Sequence, residues 1–345
     1  MSSLQTLNRK IKTVVSPFHE LLCSLHVFHQ PEHHPTRLHW ALELKKRMPL
    51  ALQENIHTLG QLSDRWIALL DLPDRMGVPI SCNQGITLLK KLPDAELVYL
   101  FMNQEIALSI IVEWLNESES KRSLMKLSGN VKYLINNLAG VRKLLISTLI
   151  TYEQDYFEKE WDYIEPFMNI SAAQFQDLAS RSPEKALNTL HPRLLSENGT
   201  LTVQKAVTYY FPYDQLGQVY VFPSTFIFPH LLVGWFEDTL FLPLTVDVPG
   251  LAFSEGPPSD LLRQLKALSD DTRMRILKLL WKGPHCTKQL APILGISEAA
   301  VSKQLKQLSE AGFTQSQRKG NYLFYSVNKE VFDNLLILQR QYLEQ

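Results

Sequence analysis

The sequence predicts a mainly α chain with a small β portion, an α+β fold in which a helical N-terminal domain with a short-strand region precedes a smaller C-terminal domain. Three observations predict it. Residues 1–195 repeat apolar side chains at helical spacing against charged faces. Residues 200–250 change to β-branched and aromatic runs interrupted by prolines. After a Gly-, Ser- and Pro-bearing stretch, taken as a linker at 251–259, helical spacing returns and basic residues gather at 260–345. The 345 residues suit two or three domains, and an apolar fraction of 45% is ample for real cores.

The helical part rests on long periodic segments. "LHWALELKKRMPLALQENIHTL" places Leu38, Leu42 and Lys45 or Lys46 on one stripe, with a charged opposite face. "AELVYLFMNQEIALSIIVEWLNE" reads as one helix, apolar all round and therefore central. "LISTLITYEQDYFEKEWDYIEPFM" pairs Tyr152 with Tyr156 and Phe157 with Trp161 at i,i+4. Its acids (Glu153, Asp155, Glu158, Glu160, Asp162, Glu165) lack a Glu-x-x-His partner and are read as a solvated face. Composition changes after Asn198-Gly199. "LTVQKAVTYYF", "GQVYVFPS", "FIFPHLLVGW" and "TLFLPLTV" read as short strands with irregular edges, because Pro212, Pro223, Pro229, Pro243 and Pro249 cannot donate to a central ladder.

Net charge is zero, but it is unevenly spread. Residues 259–328 hold 11 Lys+Arg against 5 Asp+Glu, which leaves 24 against 30 elsewhere. A basic C-terminal module on a mildly acidic body points to a polyanion as its partner. Cys23, Cys82 and Cys286 are odd in number and far apart, so no disulfide framework is expected, and a reducing cytoplasm is. No signal peptide is read, and no run of 18 apolar residues exists. The richest, Leu97–Leu115, contains Asn103, Gln104, Glu105 and Glu113, so no membrane contact is expected.

The C-terminal module is the most specific part. "LSDDTRMRILKLLWKG" starts with Ser269 as the expected N-cap and with Asp270 and Asp271 in the first turn, where the helix dipole favours acids. Ile276, Leu277 and Leu280 form its apolar stripe. "TKQLAPILGIS" ends at Gly295, and Ser297 then caps "SEAAVSKQLKQLSEAG". Two helices joined by a tight Gly-containing turn read as helix-turn-helix. Val301, Leu305 and Leu308 must face the core. The DNA-facing set on this helix is Ser297, Glu298, Ala299, Ser302, Lys303, Gln304, Lys306 and Gln307. Small residues let a helix sit deep in the major groove, polar groups reach base edges, and lysines take phosphates. "FTQSQRKGNYLFYSV" then reads as strand, turn, strand with Arg318, Lys319 and Asn321 at its tip, placed to touch phosphate or minor groove.

Together "LSDDTRMRILKLL", "LGISEAAVSKQLKQLSEAGF" and "RKGNYLFYSV" resemble the ArsR/SmtB family of bacterial transcription regulators, over roughly the last quarter of the chain. The resemblance implies a winged helix-turn-helix that binds double-stranded DNA as a homodimer. The family dimerises through the module's first and last helices, which here would use Leu261, Leu265, Val331, Phe332, Leu335, Leu338 and Tyr342. The family's metal boxes are largely missing. Cys286 stands alone with Lys288 where a second cysteine would fall, and the last helix has Asp333 but no histidine. No metal and no cofactor are therefore expected in this module. "SPFHELLCSLHVFHQPEHHP" and "VYVFPSTFIFPH" resemble the N-terminal domain that accompanies an ArsR-type module in some long regulators.

Six of the ten histidines lie between His19 and His39. Ser16 or Pro17 is read as starting a helix to about Phe28, so His19 and His26 can share a face. His29, His33 and His34 fall on a turn around Pro31 and Pro35, and adjacent His33 and His34 cannot easily point the same way. His29, His33 and His34 are the weaker metal candidates; helix capping or carbonyl bonding is the expectation. No G-x-S-x-G, H-E-x-x-H or Gly-rich phosphate loop occurs, so no catalytic residue is assigned. The expected function is a DNA-binding repressor on a pseudo-palindromic operator, with an unidentified small-molecule effector sensed by the N-terminal domain. The alternatives are a metal-responsive regulator using the histidines and an enzyme with a DNA-binding tail.

Overall fold

Several helices of this chain start where a capping side chain or a proline supplies the first turn, as at Ser16, Pro49, Ser81, Pro93 and Ser297. The computed structural model describes residues 3–76, 80–117, 127–205, 207–248, 259–320 and 322–343. By its internal contacts the chain divides into two compact units, Met1–Gln204 with Thr208–Ala252, and Phe253–Gln345 with Lys205–Val207. The expected linker lies outside the described residues apart from Ser259, which instead opens a helix.

The first unit holds α1 (Ser3–Lys10), α2 (Pro17–His29), α3 (Leu38–Arg47), α4 (Leu50–Leu62), α5 (Ile67–Met76), α6 (Cys82–Lys91), α7 (Asp94–Phe101), α8 (Leu108–Asn116), α9 (Gly129–Asn136), α10 (Leu138–Tyr152), α11 (Glu158–Arg181) and α12 (Pro183–Leu190). α2 is the central one. Ser16 Oγ accepts from the His19 amide, Pro17 sets the first turn, and every residue from Phe18 to Phe28 is buried. A helix apolar or shielded all round belongs inside a fold. The segment expected to be central, 95–117, is instead two helices. Asn103 and Gln104 take positive φ (52° and 60°) between α7 and α8, and Leu108, Ile110 and Val112 of α8 are exposed. The helix expected across 38–59 is likewise split, because Pro49 disfavours helical backbone at Met48. Tyr152–Tyr156 and Phe157–Trp161 do meet, with ring centroids 6.3 and 6.2 Å apart, each pair taking one ring from a one-turn π-bulge at Glu153–Phe157. Glu160 leaves the expected solvated face and pairs with buried Arg37 at 2.5 Å.

Two sheets complete this unit. β1 (Ile11–Thr13), β5 (Gln218–Ser224) and β7 (Thr239–Thr245) run parallel, and β6 (Gly234–Phe236) pairs antiparallel to β7, in the order β1-β5-β7-β6. β2 (Leu194–Glu197), β3 (Thr200–Gln204) and β4 (Thr208–Pro212) form an antiparallel meander. Asn198-Gly199 is therefore a hairpin turn, with φ of 51° and 80°, close to where the helices give way to strands. Pro223 and Pro243 sit on the two inner strands. Each lies beyond the end of one neighbour, since β1 pairs no further than Val221 and β6 no further than Phe241. Most of "FIFPHLLVGW" is loop, with only Gly234 and Trp235 in a strand. Among the described residues no helix is long and apolar enough to cross a membrane.

The second unit contains α13 (Ser259–Leu268), α14 (Asp271–Lys282), β8 (His285–Cys286), α15 (Thr287–Leu294), α16 (Glu298–Glu310), β9 (Thr314–Lys319), β10 (Tyr322–Val327) and α17 (Lys329–Leu343). Ile276, Leu277, Leu280, Leu290, Leu294, Val301, Leu305, Leu308 and Phe313 are buried in it. The sheet order is β8-β10-β9, all antiparallel, so the expected two-stranded wing gains a third short strand.

Candidate functional site

α15, its turn and α16 are set by local chemistry. Gly295 takes φ 70°, a left-handed position that ends α15 without a Cβ penalty. Two residues later the Ser297 hydroxyl accepts from the Ala300 amide at 3.2 Å and starts α16. Val301, Leu305 and Leu308 are fully buried, which turns Ser297, Glu298, Ala299, Ser302, Lys303, Lys306 and Gln307 to solvent. Among the described residues Lys303, Arg318 and Lys319 make no ion pair; Lys306 stands 3.8 Å from Glu310, with both side chains exposed. Asn321 lies outside the described residues. Tyr322 pairs with Lys319, so Arg318 and Lys319 do stand at the hairpin end, both exposed.

Two features of the module differ from expectation. The N-cap of α14 is Asp270, whose carboxylate accepts from the Arg273 amide at 2.9 Å, while Ser269 Oγ donates to the Lys266 carbonyl. Gln304 is half-buried because Arg273 reaches it. That guanidinium donates to the Ala267 and Lys266 carbonyls at 2.6 and 2.8 Å, to Gln307 Oε1 at 2.7 Å and to Gln304 Oε1 at 3.2 Å. The first arginine of "DDTRMRIL", Arg273, thus ties the end of α13 to the flank of α16. Helical spacing could not reveal this, because the two ends of the bond lie 31 and 34 residues apart.

The expected dimer stripe is partly consumed inside one chain. Leu261, Leu335 and Leu338 are buried as α13 packs on α17, and Phe332 packs between Trp281 and Phe313 at 5.3 and 4.7 Å. Val331 and Tyr342 are half-buried, and Leu265 stays exposed. The apolar side chains these helices leave on the surface are Leu262, Leu265, Leu336 and Leu343. Cys286 is buried ahead of α15, and the Gln289 side chain accepts from its amide at 3.0 Å.

The histidines of the first unit sort differently from the expected set. His33 is exposed, and His29 stacks on His57 at 4.8 Å. His34 is fully buried, and its companions are His26 and His230, with ring centroids 4.9, 4.8 and 6.0 Å apart for the pairs 26–34, 34–230 and 26–230. One ring nitrogen from each lies within 4.8 Å of the others. His230 was missed as a partner because 196 residues of chain separate it from His34. His19, Glu20 and Cys23 form a second close group on α2. There the Glu20 carboxylate already accepts from the Thr225 amide and hydroxyl at 2.8 and 2.7 Å, and His19 stacks on Phe222 at 4.8 Å.

A polar, doubly lysine-bearing helix capped at Ser297 and followed by a basic-tipped hairpin defines a winged helix-turn-helix DNA-binding regulator. Comparison with known proteins agrees. Residues 4–240 match the family of unknown function DUF5937, and residues 270–316 match the bacterial regulatory protein, arsR family. The chain belongs to the DUF5937 family, joined to a DNA-binding module of the arsR family. It is 39% identical over 67 residues to the arsenic resistance transcriptional regulator ArsR1 of Pseudomonas putida, covering 19% of this chain and 52% of that one. It is 32% identical to a probable mercury resistance operon repressor of Streptomyces lividans (26% and 74% covered). It is 36% identical to the transcriptional repressor SdpR of Bacillus subtilis (20% and 77%). The chain thus spans about half the length of the first of these relatives. Among solved structures it is similar to the homodimeric winged helix-turn-helix domain Mb0332 of Mycobacterium bovis, a possible ArsR-family regulator, at 26% identity and a TM-score of 0.21 (23% and 75% covered). It is also similar to HlyU of Vibrio cholerae at 26% identity and 0.22 (26% and 98%).

Proposed function

We propose that the protein represses transcription by binding a pseudo-palindromic operator as a homodimer, and that its N-terminal unit senses a small effector rather than catalysing a reaction. The observation that carries the reading is the outer face of α16, polar and cationic from Ser297 to Gln307 and exposed beside the Arg318–Lys319 tip. Two copies of such a helix read two half-sites about one helical turn apart, so a two-fold dimer calls for a two-fold operator. Leu262, Leu265, Leu336 and Leu343 are the apolar surface available for that dimer.

For the effector, the first unit offers an open cleft of about 530 Å³ among α2, α3 and α4, lined by Phe28, His29, Lys45, Leu50, Ile56 and His57. Lys45 Nζ lies 5.4 Å above the Phe28 ring, and Gln53, Glu54 and Thr58 share the lining, so the cleft suits a small molecule carrying both an apolar part and hydrogen-bonding groups. Sequencing the genomic DNA captured by the full chain tests the reading. Recovery of one site class with two inverted half-sites supports it, and uniform recovery without sequence preference overturns it.

A further inference from the structure

We propose that His26, His34 and His230 form a binding site for a zinc-class dication inside the N-terminal unit, with a fourth coordination position left for water or a small-molecule donor. Three separate elements supply the ligands. His26 lies on buried α2, His34 sits between two single turns opened by Pro31 and Pro35, and His230 lies in the loop before β6. A tetrahedral zinc ion with bonds of about 2.0–2.1 Å holds its nitrogens about 3.4 Å apart, so nitrogens within 4.8 Å need close by at most about 1.4 Å.

The hydrogen bonds around the rings select the ligand-ready tautomer. His26 Nδ1 is 2.7 Å from the Arg65 carbonyl, and His34 Nδ1 is 3.0 Å from the Phe228 carbonyl. A carbonyl oxygen only accepts, so each Nδ1 carries the proton and each Nε2 keeps its lone pair. This carbonyl-to-histidine support is how metal-binding imidazoles are oriented and made more basic. The Arg65 carbonyl is itself held by an unusual turn, with Asp64, Arg65 and Trp66 at φ of 44°, 60° and 72°.

Two of these nitrogens have nothing else to do. His34 Nε2 and His230 Nε2 are buried and make no hydrogen bond among the described residues. A buried ring nitrogen without a partner is costly, and an ion coordinated by the deprotonated nitrogens would satisfy both. Burial also keeps the rings neutral, holding His26 near 4 and His34 and His230 well below the ordinary histidine range. Neutral imidazole is the form that binds metal.

The donor set decides the class of ion. Three nitrogens with no carboxylate or thiolate among the described residues suit zinc and its late first-row neighbours and offer nothing to magnesium or calcium. This site is distinct from the thiolate position of the DNA-binding module, where Cys286 stands alone.

The test uses the full chain, stripped with chelator and titrated with zinc alone against a chromophoric competitor. One zinc per chain is expected, weakened about 100-fold or more in His230→Ala, and unchanged in the exposed-histidine variant His39→Ala and in Cys286→Ser. His34 also holds the Phe228 carbonyl, so His230→Ala is the primary variant, with its helical content compared by circular dichroism. No zinc retained by the wild-type chain overturns the proposal without recourse to any variant. So does zinc that survives His230→Ala or departs with Cys286→Ser. The titration contains no DNA, so its failure is separate from any failure of the operator reading.

Discussion

Replacing Lys303 and Lys306 with alanine tests the DNA-facing assignment of α16 quantitatively. Both side chains are exposed, so the fold should keep its stability to within about 0.5 kcal/mol. Lys306 stands 3.8 Å from Glu310, but that pair is exposed and weak and scarcely reduces the charge offered to phosphate. Each lysine that neutralises one phosphate contributes about 0.9 to the slope of log affinity against log salt, so a dimer losing four lowers its slope by about 3.6. Across a fourfold rise in salt the wild type should then lose about 150-fold more affinity than the double variant. Fluorescence anisotropy on a fixed operator fragment at several salt concentrations measures both slopes. Equal slopes would refute the placement of α16 against the DNA backbone, even if affinity at one salt concentration fell.

Three further outcomes follow from the packing. Leu336→Glu, at a side chain 66% exposed on α17, should weaken self-association about tenfold or more without unfolding the module; sedimentation equilibrium decides, and an unchanged dimer would move the interface elsewhere. Arg37→Ala should cost about 3–5 kcal/mol in urea denaturation, because it strands Glu160 and leaves the Thr225 carbonyl without its donor inside the first unit; a loss under about 1 kcal/mol would contradict the buried pair. Acid should weaken the first unit between about pH 6.5 and 4. Burial lowers His19 and His26 to about 4 in the fold, so the unfolded chain takes up their protons first as pH falls. Their contribution is complete above 6.5 and gone below 4. Glu20 works in the opposite sense, since burial raises its pKa, and softens the loss at the acid end. Stability independent of pH across that window would show that these rings are hydrated.

Legibility in the sequence followed the range of the interactions concerned. The helix-turn-helix could be read because its determinants are local: a glycine at φ 70°, a serine hydroxyl three residues before the amide it bonds, and apolar positions 4 and 3 apart. The start of α2 at Ser16 and Pro17 was legible for the same reason. Where competing local signals met, spacing misled. Apolar periodicity ran through Pro49 and through Asn103-Gln104, although backbone restriction at the first and left-handed turns at the second end the helices. β1 is three residues long and pairs in parallel with β5, more than 200 residues away, a partner that its β-branched Ile11 and Thr13 could not identify.

The histidines show the same division most sharply. Proximity in sequence grouped His29, His33 and His34, yet the turns at Pro31 and Pro35 send His33 to solvent and His34 inward. His26 and His34 are each held by a carbonyl, from Arg65 and Phe228, and His230 comes to them from the loop before β6, none of which sequence spacing encodes. A structural role alone would be complete once each ring had bonded its carbonyl, as His285 does with Gly283 at 2.7 Å. The rings of His34 and His230 instead bring further buried nitrogens into one cluster without a hydrogen bond, an arrangement that a purely packed core gains nothing by keeping.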